Sequence, residues 1–285
     1  MLAWRDGDWL TVPEGATVAQ LCPGPSLFET FALRDGRVEA WEDHFARLAL
    51  ACPRFGLDPR RLTLGAGPAP ELWAPPLRKL LDRAGLTDAI VRLVVAPDGS
   101  GGAAEWLTVR PLPATPASLE LRLLRTIRDE PEWLPRPKSG PWRNSAEAGR
   151  ELASLAASAE TEGLQFDARG HVCEGVRSSA AWLEGGVWHF PAVATGCLPG
   201  TAAAQFRAAL GAAGHPSRDV AAPFPTAAES IVVLRSTLAG GGVLASRAFD
   251  AAGRSCWRAR GREDSARAAL AALATARAQR SVSLL

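Results

Sequence analysis

The stretch SLFETFALRDGRVEAWEDHFARL, residues 26–48, contains the two kinds of secondary structure on which the fold prediction rests. Ser26–Leu33 combines Phe and Thr with aliphatic residues, which predicts a strand. Asp35-Gly36 favours a tight hairpin turn, so Val38–Trp41 is predicted to be the return strand. From Glu42 onward, apolar residues recur at helical spacing. A hairpin followed by a helix indicates an α+β fold.

Working outward along the chain, segments of the same two kinds predict two domains. A linker is expected at residues 113–118, because the surrounding sequence PLPATPAS is rich in Pro and small residues. We therefore expect a small N-terminal α+β domain at residues 1–112 and a larger C-terminal domain at residues 119–285. A second Pro-rich segment, Pro131–Pro141, cannot form a helix or a central strand and is predicted to be a loop.

The composition excludes several classes of protein. Hydrophobic residues make up 47% of the 285 residues and the net charge is +2, so we expect a globular chain that does not bind nucleic acid. No run of 18 apolar residues occurs, and the charged first ten residues do not resemble a signal peptide. We expect a cytoplasmic protein with no membrane span. The scattered Cys and His residues predict neither disulfides nor a metal site.

The chain has no tyrosine and only two lysines, Lys79 and Lys138. Chemistry that needs a lysine amine therefore has two candidates. Lys79 lies in PPLRKLLDRAGL, which predicts an amphipathic helix with the lysine on its solvated face. Lys138 lies in the loop predicted at Pro131–Pro141. On its own, Lys138 could equally be a surface loop lysine.

Several motifs occur in a fixed order. They are Phe28-Glu29-Thr30, Asp35-Gly36, His44 to Arg47-Leu48, DARGHVCEG at 167–175, Ser178-Ser179-Ala180-Ala181-Trp182, GCLPGT at 196–201 and VVLRSTLAG at 232–240. In this order and near this spacing, the chain resembles the class IV aminotransferases, the fold-type IV pyridoxal-phosphate enzymes, over roughly residues 22–245. Each motif alone is weak, and their combination carries the resemblance.

The resemblance implies a two-domain α+β fold like that of D-amino acid aminotransferase, in which the larger domain has a β-barrel-like core. It also implies a homodimer and the cofactor pyridoxal 5'-phosphate. This cofactor requires a lysine amine that forms a Schiff base with it, and Lys138 stands in the matching stretch. Glu174 matches the carboxylate that keeps the pyridine nitrogen protonated.

The phosphate of the cofactor needs hydrogen-bond donors and positive charge. The residues matched to the whole cofactor site are Arg47, Lys138, Glu174, Ser178, Ser179, Gly200, Thr201, Ala202, Ser236 and Thr237. Among these, Arg47 could instead be a solvated helix arginine, and Glu174 an exposed residue at a strand end. Leu198–Thr201 could be an ordinary helix start. His44 is expected to be structural.

Two reactions on a small amino-bearing substrate fit this resemblance. The first is that of an aminodeoxychorismate lyase of folate biosynthesis, which forms 4-aminobenzoate and pyruvate. The second is transamination of branched-chain or D-amino acids. Tyrosine phenols commonly serve in the transaminases, and this chain has none, so we favour the lyase. A third reading is a scaffold protein that has lost catalysis, because Ala202-Ala203 replaces the family's Thr-Arg pair after the L-P-G turn.

Overall fold

A computed structural model describes residues 2–12, 25–59, 69–100, 102–140, 143–155, 158, 160–261 and 263–284. The chain forms two compact units. The first unit comprises Met1–Ala114, Pro137–Pro141 and Ala278–Leu285, and the second comprises Thr115–Arg136 and Trp142–Arg277. The first unit thus consists of three separate segments of the chain, whereas the sequence predicted two continuous domains joined by one linker.

The secondary structure of the described residues is mixed. The helices are α1 (Trp41–Ala51), α2 (Pro70–Ala84), α3 (Arg143–Ser154), α4 (Thr201–Ala212) and α5 (Asp264–Gln279). The strands are β1 (Leu2–Arg5), β2 (Asp8–Thr11), β3 (Ser26–Arg34), β4 (Arg37–Val38), β5 (Ala89–Pro97), β6 (Ala103–Pro111), β7 (Ser118–Ile127), β8 (Ser139–Gly140), β9 (Thr161–Phe166), β10 (Val172–Gly175), β11 (Ser179–Glu184), β12 (Val187–Pro191), β13 (Ser217–Val220), β14 (Ser230–Leu234), β15 (Gly242–Phe249), β16 (Ser255–Arg258) and β17 (Val282–Ser283).

The first unit is built on an antiparallel sheet in the order β17-β4-β3-β5-β6-β1-β2, with β8 also paired to β3. Alternate residues of β3, such as Leu27 and Phe31, face a core that α1 and α2 close. The predicted return strand Val38–Trp41 is wrong, because β4 ends at Val38 and Trp41 begins α1. Ala40 turns the chain in a left-handed conformation, and the Trp41 ring packs against Phe31 in the core.

Two short segments complete the first unit from elsewhere in the chain. Strand β8, inside the loop predicted at Pro131–Pro141, pairs with the start of β3, and Pro141 lies outside the described residues. Strand β17 pairs with β4, and the Leu284 N–H donates to the Gly36 carbonyl at 2.9 Å. Backbone pairing across the sheet therefore decides where these segments belong.

The second unit contains a mixed sheet in the order β10-β9-β7-β15-β14-β11-β12-β13, with β16 paired to β15. This sheet curls into a half-barrel. Residues Ile231 and Val233 of β14 face the apolar interior of the curl, whereas Val232 and Leu234 face the layer formed by α4 and α5. Both faces of β14 are buried, which explains the unbroken apolar run IVVL that follows Ser230.

A buried ion cluster attaches α1 to the first sheet. Glu29 of β3 and His44 of α1 are both inaccessible to solvent, and His44 Nδ1 lies 2.7 Å from Glu29 Oε2. Arg47 donates from Nε and Nη2 to the two Glu29 oxygens, each at 2.7 Å. Burial raises the pKa of Glu29, but the Arg47 charge and the His44 hydrogen bond outweigh it and lower the pKa to about 2. His44 is structural, as predicted.

The C-terminal segment should contribute to the stability of the first unit. Leu284 is 3% exposed within the core, so Leu284→Ala should lower the free energy of unfolding by about 2–4 kcal/mol, as buried Leu truncations do. Urea unfolding followed by tryptophan fluorescence measures this. Leu50→Ala, at a 74% exposed site on α1, is the matched control and should change stability by less than about 0.5 kcal/mol. Equal stability of the two variants would contradict this packing.

The Glu29 cluster should make the first unit sensitive to acid. The folded-state pKa is about 2 against an ordinary 4.5, so Glu29 stabilises the fold fully above the ordinary value, and this contribution is lost as the pH falls towards 2. The total should be on the order of 3 kcal/mol. Urea unfolding at a series of pH values should show this loss in the wild type and not in Glu29→Gln. The same pH dependence in both proteins would contradict the assignment.

Candidate active site

The predicted site residues of the second unit lie where neighbouring elements end or begin. Glu174 is next to last in β10, Ser179 begins β11, and Thr201 begins α4. Ser179 pairs with Leu234, the last residue of β14, so the turn with Ser236 and Thr237 follows directly beside it. The structure thus brings together motifs that are about 60 residues apart in sequence, because β11 pairs with β14 and because the Gly175 N–H at the end of β10 donates to the Ser178 carbonyl just before β11.

Glu174 is a buried carboxylate with 7% exposure, so it is not an exposed residue at a strand end. Its Oε1 lies 2.8 Å from Nη2 of Arg128. Its Oε2 accepts a hydrogen bond from the Leu198 N–H at 3.0 Å. These two contacts fix the plane of the carboxylate, and a carboxylate with about four acceptor sites can still accept a donor from a ligand.

Arg128 was not found from the sequence, and it is 3% exposed. Its Nη1 donates to Asn144 Oδ1 at 3.0 Å and to Ser145 Oγ at 3.1 Å, both on α3. Asn144 Oδ1 also accepts from Gln165 Nε2 of β9 at 3.0 Å. A cation directly after the strand β7 is the only sequence signal for Arg128, and such a signal is common to many surface residues.

Two glycines allow close packing beside Glu174. A Cβ on Gly175 would lie 2.1 Å from Ser178 Oγ, and one on Gly200 would lie 2.4 Å from Ser179 Oγ. These positions therefore accept only glycine unless the serines move. Ser178 thus lies against Gly175 at the end of β10, and Ser179 lies against Gly200 of the L-P-G turn.

The start of α4 is a helix N-terminus without a side-chain cap, the kind of position at which anions can bind. Gly200 is its N-cap residue, and no side chain caps the helix, so the first N–H groups, including those of Thr201 and Ala202, have no side-chain acceptor at the cap. Nearby, Ser178 is 8% exposed, and among the described residues its Oγ has no hydrogen-bond partner. A buried hydroxyl without a partner is costly, and a phosphate oxygen would satisfy it.

The turn after β14 is held from beneath by Arg277 of α5. Arg277 is 1% exposed, donates from Nη1 to Gln205 Oε1 of α4, and donates from Nη2 to the Ser236 carbonyl at 3.3 Å. This arrangement attaches the turn of Ser236 and Thr237 to the helix that begins at Thr201.

Lys138 belongs to the first unit and is half-buried. Its carbonyl accepts a hydrogen bond from the Phe28 N–H at 3.0 Å, and its Nζ lies 5.1 Å from the centre of the Phe28 ring. The backbone bond to β3 makes Lys138 part of the sheet margin, so it is not a lysine of a free surface loop. Lys79, by contrast, is exposed on α2, with its Nζ 4.6 Å from the Trp9 ring.

Arg47 has partners that the sequence prediction did not include. The prediction assigned its guanidinium to the cofactor phosphate, whereas the structure commits its Nε and Nη2 to Glu29. Its side chain is 14% exposed, which excludes a solvated helix arginine. Glu29 and Phe28 are consecutive residues of β3, so the β3 contacts of Arg47 and Lys138 lie on opposite faces of the strand.

Arg92 is a second cation that the sequence analysis missed. It interrupts the apolar strand β5, and its Nε donates to Thr30 Oγ1 at 3.3 Å. Its guanidinium lies 4.7 Å from the Phe28 ring, the ring that Lys138 also contacts. Burial, with Arg110 adding to it, lowers the pKa of Arg92. Among the described residues, no carboxylate forms an ion pair with Arg92.

The functional groups of these residues are those that pyridoxal phosphate requires. Glu174 offers a fixed anion to a protonated ring nitrogen, the start of α4 with Ser178 offers donors to a phosphate, and Lys138 offers the amine. Over the described ranges, no group of His, Cys, Asp and Glu side chains could bind a metal ion. In the same ranges, no helix has the length and apolar character needed to cross a membrane.

Comparison with known proteins supports this fit. The family model for amino-transferase class IV matches residues 26–240. No curated protein sequence matches the chain. Among solved structures, the branched-chain aminotransferase from Thermoproteus uzoniensis is similar with a TM-score of 0.76 at 18% identity, covering 100% of this chain and 99% of that one. The branched-chain aminotransferase from Escherichia coli has a TM-score of 0.71 at 17% identity, covering 91% and 90%.

A hypothetical aminotransferase from Mycobacterium tuberculosis has a TM-score of 0.73 at 19% identity, covering 98% of this chain and 99% of that one. At these identities the structures establish the fold, which is the predicted two-domain fold of type IV. The family match covers well over half of the chain and includes the motifs quoted above. The chain therefore belongs to the class IV aminotransferases, enzymes that depend on pyridoxal 5'-phosphate.

Proposed function

We propose that this protein is an aminotransferase that moves the amino group of a carboxylate-bearing amino acid. The observation that carries the proposal is the buried Glu174 carboxylate, which Arg128 and the Leu198 N–H hold beside the open start of α4. An anion for a pyridine nitrogen and an anion site for a phosphate are thus present in one unit. The solved relatives named as branched-chain aminotransferases agree with this function better than with a lyase.

The residues would divide the work as follows. Bound pyridoxal phosphate withdraws electrons from the carbon that bears the amino group, which makes its proton acidic. Glu174 would hold a proton on the ring nitrogen, because a fixed carboxylate stabilises the protonated form. The N–H groups at Thr201 and Ala202, with the hydroxyls of Ser178 and Ser179, would bind the phosphate.

Lys138 Nζ would hold the cofactor covalently. Once the substrate's amino group had displaced it, the free amine would accept the proton of the substrate carbon and deliver it to the carbon to which Nζ had been bound. A primary amine can do both, whereas a guanidinium stays protonated and can do neither. Lys138 is suited to this role because its backbone is bonded to β3 and its Nζ lies near the Phe28 ring. Ser236 and Thr237 would complete the phosphate site, with their turn held by Arg277.

Arg92 would bind the carboxylate of the substrate. Among the residues that the structure describes, this half-buried guanidinium has a hydroxyl and an aromatic ring as partners and no carboxylate, so it is poorly compensated for lost hydration, and a substrate carboxylate would supply the missing charge. Arg92 and Lys138 contact the same Phe28 ring, so carboxylate and amine chemistry would be close together in the first unit. This chemistry favours an α-amino acid as substrate.

The lyase that forms 4-aminobenzoate and pyruvate is the second candidate, and the absence of tyrosine favours it. A lyase needs the same amine and the same ring nitrogen anion but relies on a leaving group that becomes aromatic. The catalytically inactive scaffold is less well supported, because a scaffold has no use for the buried Glu174 and the ordered Lys138. The homodimer and the cytoplasmic location stay predictions.

A pair of assays separates the two reactions. Purified protein with pyridoxal phosphate is given either leucine plus 2-oxoglutarate or aminodeoxychorismate. We expect glutamate from the first mixture and no pyruvate from the second. Pyruvate and 4-aminobenzoate without any amino-group transfer would replace the aminotransferase by the lyase. A D-amino acid in place of L-leucine reports the stereochemistry in the same assay.

Changing Lys138 should abolish cofactor attachment. After borohydride reduction, mass spectrometry of the wild type should find a pyridoxyl group on the peptide that contains Lys138. Lys138→Ala should lack the group, the visible absorbance and all turnover, because the other lysine, Lys79, lies on the exposed face of α2. Lys79→Ala, on the exposed face of α2, is the matched control and should behave as wild type. A pyridoxyl group on Lys79, or none at saturating cofactor, would refute the assignment.

A further inference from the structure

We propose that Arg128 is the positioning residue that keeps the proton on the cofactor's ring nitrogen and off Glu174. The proposal rests on the proposed function, in which Glu174 faces that nitrogen. It adds a residue that none of the motifs contains. It also assigns the electron-withdrawing strength of the bound cofactor to a pair of buried side chains, Glu174 and the arginine behind it.

The geometry makes Arg128 a dedicated partner of Glu174. The two side chains are 3% and 7% exposed, and the distance between Nη2 and Oε1 is 2.8 Å. Asn144 Oδ1 and Ser145 Oγ hold the other end of the guanidinium, so it cannot turn away from the carboxylate. Asn144 is fixed in turn, because its Nδ2 donates to the Ile127 carbonyl at 2.6 Å.

The arrangement of the charges on Arg128, Glu174 and the ring nitrogen determines which group holds the proton. A proton shared by Glu174 and a ring nitrogen can produce a neutral pair, or a carboxylate beside a protonated nitrogen. Arg128 attracts the carboxylate of Glu174 at contact distance. It also repels the protonated ring nitrogen, but the carboxylate would lie between these two cations, so they would be further apart. Coulomb energy falls with distance, so attraction outweighs repulsion and the charged pair is favoured.

Without Arg128, the neutral pair of Glu174 and the ring nitrogen should become more stable than the charged pair. A buried carboxylate that has lost its cation is destabilised, and taking up the shared proton removes the charge. The N–H of Leu198 would still bond Glu174 Oε2, but it carries no full charge. Arg136 also acts electrostatically on Glu174, but its Nε donates to the Gly196 carbonyl and its Nη2 forms an ion pair with Asp129, so it does not replace the contact of Arg128. The ring nitrogen would then lose its proton although the cofactor is still bound. A purely structural role for Arg128 would lower stability and leave the ring nitrogen protonated.

The test reads the ring nitrogen directly. Holoenzyme is prepared with pyridoxal phosphate carrying 15N at the ring nitrogen, and its NMR resonance is compared with those of free protonated and free neutral cofactor. The variants are Arg128→Met, Arg128→Gln, which keeps hydrogen-bonding groups if the Met variant does not fold, and Arg128→Lys, which keeps the charge. Arg207→Met is the matched control, because Arg207 forms a surface ion pair with Asp219 in the same unit.

We expect the protonated resonance in the wild type, Arg128→Lys and Arg207→Met. In Arg128→Met and Arg128→Gln the resonance should shift towards that of the neutral cofactor. The affinity ratio of pyridoxal phosphate to its 1-deaza analogue, in which carbon replaces the ring nitrogen, should fall by about tenfold or more, the scale of a charge-assisted hydrogen bond.

A protonated resonance in both charge-removing variants, or an unchanged affinity ratio, would overturn the role of Arg128 and leave the proposed function intact. A neutral resonance in the wild type would overturn it too. If the wild type binds no cofactor, the proposed function fails and this inference fails with it. Glu174→Gln should show the neutral resonance as well, and a protonated signal there would show that neither side chain controls the proton.

Discussion

A buried carboxylate must be paired with a cation, and the second unit is arranged around that requirement at Glu174. An unpaired ion in the interior costs several kcal/mol, so the contacts of Glu174 constrain every element that supplies them. Arg128 supplies the charge at the end of β7, Asn144 anchors it from α3, and Leu198 supplies an N–H from the turn before α4. One carboxylate on β10 thereby determines how two strands, a helix and a turn meet.

The first unit also contains a buried carboxylate, Glu29, that is paired with a cation, but there the pairing is structural. Glu29 accepts three short bonds from His44 and Arg47 and is inaccessible to solvent, so the cluster joins α1 to β3 and offers nothing to a ligand. Glu174 accepts one hydrogen bond, from the Leu198 N–H, beside its ion pair with Arg128, and it is 7% exposed, which leaves room for a further donor. The number of acceptor sites that the chain itself occupies thus distinguishes a structural carboxylate from one that can act on a cofactor.

Motif order indicated the family, the cofactor and the positions of most proposed site residues. In the second unit, the pairing of β11 with β14 brings Ser179 beside the turn of Ser236, and the Leu198 N–H joins the L-P-G turn to Glu174. The two cations Arg128 and Arg92 were not predictable in this way. Each is one arginine in a chain with 30 arginines and two lysines. The role of each arginine depends on the residues that contact it in the folded chain. Neither the spacing nor the composition of the neighbouring sequence indicates which residues those are.

The sequence by itself determined the elements with strong local signals, such as the β3 hairpin turn at Asp35-Gly36 and the apolar strand SIVVL, because turn chemistry and side-chain periodicity act within a few residues. Tertiary structure decided that Arg47 binds Glu29 and that residues near Lys138 and Leu284 belong to the first unit. Those outcomes depend on contacts between distant residues, such as Arg37 with Ser281, 244 positions apart. Only the packed chain can pair such residues, because burial sets which charges and strand edges must find partners.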